Sequence, residues 1–246
     1  MAKQLWERAG FLMGIAFVVL LFAGEVVLGD ATHPPANAPG EKIVAFFTEY
    51  RTGSLIGAHI QALATMLLLW FVATLATALA AWGQRTTAVL VAAGGTVSVG
   101  VFMVYLMLSS ALAFGADSTG GLDPGAAGAL YQARFMALVF YALPVSVLVA
   151  ATSVGALHTG LFPRWYGRSG IIVAVAFLVG GADVARNGLF SPDGDYGFIL
   201  FWLFPLWLIV TGVVFMRRTG EARQVENETP VGGMSAPWIK KGNSHA

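Results

Sequence analysis

The sequence predicts an all-α fold, a polytopic membrane helix bundle of six transmembrane helices with a short amphipathic outer helix between the first two. Three observations predict it. The 246 residues are 57% hydrophobic and only 11% charged, against roughly 45–50% apolar and about 25% charged in soluble domains. Six apolar stretches are each long enough to cross a hydrocarbon core of roughly 30 Å, which takes about 20 helical residues. Lysines and arginines, finally, collect on one side of those crossings.

The six stretches are Phe11–Leu28, His59–Ala81, Val89–Ala113, Phe135–Leu157, Ile171–Leu189 and Phe198–Met216. Lys3 and Arg8 precede the first, as they would in a signal peptide. The run exceeds the usual h-region of about 7–15 residues and carries Glu25, so it reads as an uncleaved anchor. After it, Ile43, Phe46, Phe47 and Tyr50 fall at i, i+3, i+4 and i+7, bounded by Pro39 and Gly53. That segment reads as a helix lying in the headgroups, with a lid over an outward-opening pocket as the alternative. Asp123-Pro124 supplies an N-cap and a first-turn proline, so the fourth helix starts well ahead of its apolar run and Arg134 falls near the outer interface. Pro144 and Pro205 sit inside the fourth and sixth helices, where membrane helices tolerate the lost backbone donor. Gly10 with Gly14, and Gly181 with Ala185, are small-residue pairs that allow close helix contact. Trp82 with Arg85, and the Phe162–Arg168 loop, have the aromatic and basic character of interfacial anchors.

Orientation follows from charge. Lys3, Arg8, Arg85, Arg164, Arg168, Arg217, Arg218 and Arg223 share one side and Lys42 and Arg51 the other, eight against two. Both termini are therefore expected in the cytoplasm, with the chain in the plasma membrane. Residues 1–218 form the transmembrane domain. From Thr219 the chain turns polar, punctuated by Gly and Pro, and a disordered cytoplasmic tail is expected over 219–246.

Composition also removes function classes. A net charge of +1 argues against nucleic acid as a partner. The absence of cysteine excludes disulfides, thiol nucleophiles, cysteine-held clusters and c-type haem attachment. Of the four histidines (His33, His59, His158 and His245), His59 and His158 stand at opposite ends of their helices and cannot share an axial haem. With no H-E-x-x-H and no glycine-rich phosphate loop, no cofactor or metal is expected and an enzyme is the least favoured class.

The residues left to carry chemistry are the ionisable ones inside the spans. Each costs about 2.5–3.5 kcal/mol at a helix centre, and here they agree in depth. Glu25, His59, Arg134, Asp183 and Arg186 all fall in the outer parts of their helices, with Gln61, Gln132 and Asn187 at similar levels. Asp183 and Arg186 are three apart and share a helix face. Asp183 is the deepest and is expected to stay charged by pairing with Arg186 or Arg134. The layer reads either as a charge-balanced staple or as a hydrated site for a small polar or zwitterionic ligand.

Two short motifs carry a resemblance. Ala45-Phe46-Phe47-Thr48-Glu49-Tyr50-Arg51 and Thr159-Gly160-Leu161-Phe162-Pro163-Arg164-Trp165 resemble segments of the small multi-pass membrane proteins of actinobacterial genomes that are grouped as domains of unknown function. The resemblance implies a six-helix membrane fold and transfers no functional residue. The expectation for function is a small-ligand-binding protein or an accessory subunit of a membrane complex, with a small-solute transporter as the alternative. Expected partners are membrane lipids, with partner membrane subunits or a second copy of the chain beside them.

Overall fold

The structure is a computed structural model that describes residues 2–27, 32–116, 121–159, 162–182 and 194–228. All regular structure among the described residues is helical: α1 (Ala2–Val26), α2 (Gly40–Glu49), α3 (Arg51–Ala81), α4 (Arg85–Gly115), α5 (Pro124–Thr159), α6 (Arg164–Gly180) and α7 (Asp195–Glu228). Five of these contain segments long and apolar enough to cross a membrane: Ala9–Val26, Arg51–Ala81, Arg85–Gly115, Pro124–Thr159 and Asp195–Arg217. The stretch expected as the fifth of six spans differs. Its helix α6 has 17 residues and ends at Gly180. The Gly180-Gly181 pair weakens helix continuation, since each glycine costs about 1 kcal/mol relative to alanine. The remainder of that stretch, from Asp183 on, lies outside the described residues.

Local chemistry sets the helix ends. Asp123 caps α5, its Oδ1 accepting the Ala126 N–H at 2.9 Å. At the turn between α3 and α4, Gly83 takes a positive φ of 80°. The Gly83 N–H then donates to the Ala80 carbonyl, and the Gln84 N–H to the Leu79 carbonyl, at 3.0 Å each. This is the paired arrangement that closes a helix through a left-handed glycine. Past its apolar run α7 continues through Thr219–Glu228; the rest of the segment expected to be disordered, from Thr229, lies outside the described residues. Glu, Ala, Arg and Gln within Thr219–Glu228 are good helix formers that outweigh the single Gly220, and Pro230 disfavours helix at the residue ahead of it.

Successive helices α3, α4, α5 and α6 pack each against the next, while α1 packs on α3 and α7 on α1 and α6. The α1–α3 contact is close enough that side chains are excluded from it. A Cβ on Gly10 would meet Thr74 Oγ1 at 1.9 Å, and one on Gly57 would meet the Gly24 carbonyl oxygen at 2.6 Å. Outward-facing positions such as Val19, Leu63, Met107, Ile172 and Phe198 are apolar and exposed, a surface suited to lipid rather than water.

α2 stands apart from the long helices. Tyr50 alone separates it from α3 (φ −101°, ψ 23°), and the chain bends there. Ile43, Phe46 and Phe47 are buried and form a small second core with Leu112, Ala113 and Ala116 at the end of α4 and Ala127, Tyr131 and Phe135 at the start of α5. The apolar face of α2 therefore rests on protein, not on the headgroups. Its burial marks one end of the bundle, called here the α2 end.

Candidate functional site

The site is built around Arg134, which lies on α5 one turn from the α2 core and is only 5% exposed. Tyr105 and Ser109 are four apart on α4 and so present to the same side. The guanidinium Nε donates to Ser109 Oγ at 2.7 Å and Nη2 to the Tyr105 hydroxyl at 2.5 Å. Ser109 in turn donates to the Tyr105 carbonyl at 2.9 Å. The rings of Tyr105, Tyr131 and Phe135 stand 4.5, 5.4 and 5.6 Å from the guanidinium carbon, within reach of the cation–π attraction that helps hold a desolvated cation. Arginine carries more N–H donors than these two bonds use, and among the described residues no carboxylate pairs with it.

Arg134 faces a small polar cavity of about 30 Å³ shared by α1, α3, α4 and α5 and closed by Phe47 of α2. Glu25 enters it from α1. The close approach of the Gly24 and Gly57 backbones brings α3 within reach of that carboxylate, and Gln61 Nε2 donates to Glu25 Oε1 at 2.6 Å. Gln61 is itself buried and also donates to the Leu21 carbonyl at 3.4 Å. Ser54 lines the same cavity, buried, and its Oγ has no hydrogen-bond partner among the described residues. His33 enters from the loop after α1. That loop is pinned by Tyr131, whose hydroxyl donates to the Pro34 carbonyl at 2.6 Å, and by the His33 ring lying 5.2 Å from the Phe46 ring. Burial, and then the positive charge of Arg134, push the His33 imidazole down from 6.5 to about 4, so it is neutral at physiological pH.

A second, larger cavity of about 130 Å³ adjoins the first. Its walls are apolar and aromatic, with Phe102 from α4, Leu138 and Ala142 from α5, Phe177 from α6, and Leu200 and Phe204 from α7. Glu25 and Tyr105 line both cavities and form the boundary between them. Pro205, read from the sequence as a tolerated helix proline, lies inside α7 and faces this cavity.

Of the polar layer read from the sequence, Glu25, Arg134 and Gln61 are brought to one cavity. His59 is not: its side chain is exposed and its Nδ1 is engaged at 2.8 Å with the Leu55 carbonyl of its own helix. Depth agreed, but His59 lies on the outward side of α3. Gln132 is likewise exposed. Asp183, Arg186 and Asn187 lie outside the described residues. Sequence reasoning missed His33, Ser54, Tyr105 and Ser109. Tyr105 and Ser109 had a usable signal, since two polar residues four apart in an apolar span mark one wet or paired face. His33 had none, because its place depends on how the loop folds back. No family model, curated protein or solved structure matches the chain.

Proposed function

We propose that this chain is a six-span plasma-membrane protein with both termini cytoplasmic, and that it binds a small polar or zwitterionic ligand in the cavity around Arg134, as a binding or accessory subunit of a membrane complex. One observation carries the binding reading: a deeply buried guanidinium, whose remaining donors meet no carboxylate among the described residues, faces a cavity that Glu25 also lines. A buried charge is retained against a desolvation penalty of several kcal/mol only where it is paired, and a ligand is the partner this geometry leaves room for. Support for a sixth crossing comes from α6 packing along α5 and from the eight-to-two bias of basic residues. The same bias makes the α2 end the outer one.

A small-solute transporter is the second reading, favoured by Pro205 at the wall of the larger cavity. Against it, stacked aromatic rings fill the other end of the bundle. Two measurements test the proposal. Purified protein should gain thermal stability from zwitterionic ligands, and Arg134→Gln should abolish the gain; no gain with any such ligand would remove the reading. For topology, the cysteine-free chain allows clean labelling. Single cysteines replacing Asn37, Ser118 and Ser191 should react with an impermeant thiol reagent in intact cells, and those replacing Gly83, Ser169 and Ser235 only after permeabilisation. Labelling at position 235 from outside would leave five crossings.

A further inference from the structure

The two cavities differ in kind, and they meet. The polar one presents a cation, Arg134, and a carboxylate, Glu25, with His33 neutral beside them. The apolar one begins at the same two residues that bound the first, Glu25 and Tyr105, and is about 130 Å³ against about 30 Å³. Ser54, 7% exposed, lines the polar cavity, and its Oγ has no hydrogen-bond partner among the described residues. A buried hydroxyl left unpaired is unfavourable, so its presence on this wall marks a place where another molecule supplies the bond.

We propose that the ligand is a zwitterionic amphiphile, its head held between Arg134 and Glu25 with Ser54 bonded to it, and its hydrocarbon chain lying in the adjoining apolar cavity. This rests on reading the polar cavity as a binding site and adds the ligand's class. Charge decides the head. An oxyanion meets the remaining donors of the buried Arg134, and an ammonium meets the half-buried Glu25, so each charge finds its opposite and the filled site carries no net excess. A head with an oxyanion alone would satisfy Arg134 but leave Glu25 facing a like charge at low dielectric. The apolar cavity decides the tail, since a free zwitterion would leave those aromatic walls unoccupied. Ethanolamine phospholipid in the surrounding bilayer has this chemistry; a water-soluble zwitterion has the head without the chain.

The test uses the full chain, purified in a non-ionic detergent, stripped of co-purifying lipid and examined by native mass spectrometry. It is offered dioleoylphosphatidylethanolamine, dioleoylphosphatidylglycerol or glycerophosphoethanolamine in turn. One phosphatidylethanolamine per chain should be retained, at least tenfold in preference to phosphatidylglycerol. Ser54→Ala should lower that retention several-fold. Ala142→Phe fills the apolar cavity away from the head and should lower it at least tenfold; Leu138→Phe serves the same purpose should the first variant not fold. Equal retention of phosphatidylglycerol overturns the zwitterionic head. Binding of glycerophosphoethanolamine as tight as that of the lipid, unchanged by Ala142→Phe, overturns the amphiphile while leaving the polar binding site standing. Retention of none of the three, with no stabilisation by any of them, overturns both.

Discussion

The two ends of the bundle are built on different terms. At the α2 end, Arg134, Glu25, His33, Gln61 and Ser54 surround a cavity. At the opposite end, Phe11 lies flat on Phe215 with centroids 3.8 Å apart and edge-on to Phe71 at 5.6 Å. Phe162 stacks on Tyr166 at 4.7 Å, and the Tyr166 hydroxyl shares a 2.7 Å hydrogen bond with Thr211. Phe11, Phe71, Phe162 and Tyr166 are almost wholly buried. In lipid, transfer out of water does not drive one helix onto another, so contact quality does. The aromatic end holds α1, α3 and α7 together by shape, and this leaves the α2 end free to carry charges and empty space that packing alone would not select.

The aromatic end depends most on Phe11, whose ring ties α7 to α3 through α1. Phe11→Ala should destabilise the protein by about 3 kcal/mol, the low side of the range for buried Phe→Ala, because lipid rather than water surrounds the separated helices. Unfolding in mixed detergent micelles measures it. Lipid retention by the folded fraction should not change. A loss of retention with no loss of stability would mean that the two ends are not separate in function.

Second comes pH, which should act on one end only. The His33 imidazole holds its neutral form down to about 4, while in the unfolded chain it takes up a proton near 6.5. The unfolded state therefore binds more protons between those values. The contribution to stability is complete above pH 6.5, declines as pH falls towards 4, and is flat below that. A shift of this size is worth on the order of 3 kcal/mol. His33→Gln should remove that part of the slope, read as the difference between variant and parent unfolding curves at pH 7 and pH 4.5. Equal slopes would mean that His33 is not held at the cavity.

How much of this was legible in the sequence depends on which force sets each feature. The long helices follow from apolar length alone, and α5's early start from Asp123-Pro124, because these are local signals. The shared level of Glu25, Gln61 and Arg134, which line one cavity, was legible too, since rise per residue fixes it. Azimuth was not: Glu25 and His59 share a level, yet the α1–α3 contact at Gly24 and Gly57 turns Glu25 inward and leaves His59 on the outer side of α3. α2 was legible as an amphipathic segment from its spacing of Ile43, Phe46 and Phe47. What that face covers was not, because the ends of α4 and α5 that receive it are far away in sequence. α7's continuation to Glu228 rests on the helix propensity of Glu, Ala, Arg and Gln within a polar segment.

A third prediction asks what balances Arg134. Arg134→Gln leaves the Tyr105 hydroxyl without its donor and should cost about 1–2 kcal/mol, along with all ligand retention. The second variant is Asp183→Asn, at a position that lies outside the described residues. In a double-mutant cycle the two changes should be additive to within about 0.5 kcal/mol. A coupling well above that would make Asp183 the partner of Arg134, and the layer would be a staple rather than a site.

The smallest effect is expected at Ser54, and its sign is the informative part. The hydroxyl is buried on the wall of the polar cavity without a partner, on a helix whose first turn does not need it as a cap. In lipid-stripped protein Ser54→Ala removes an unpaired polar group and adds nothing that must be solvated. Stability should stay level or rise by less than about 1 kcal/mol. With phosphatidylethanolamine present the order should reverse, because the parent then makes a bond that alanine cannot. A hydroxyl that served only the fold would give the same difference with and without lipid. Unfolding midpoints for parent and variant, each measured stripped and lipid-loaded, separate the two cases, and a lipid-independent difference would return the α2 end to the same class as the aromatic end: packing without a guest.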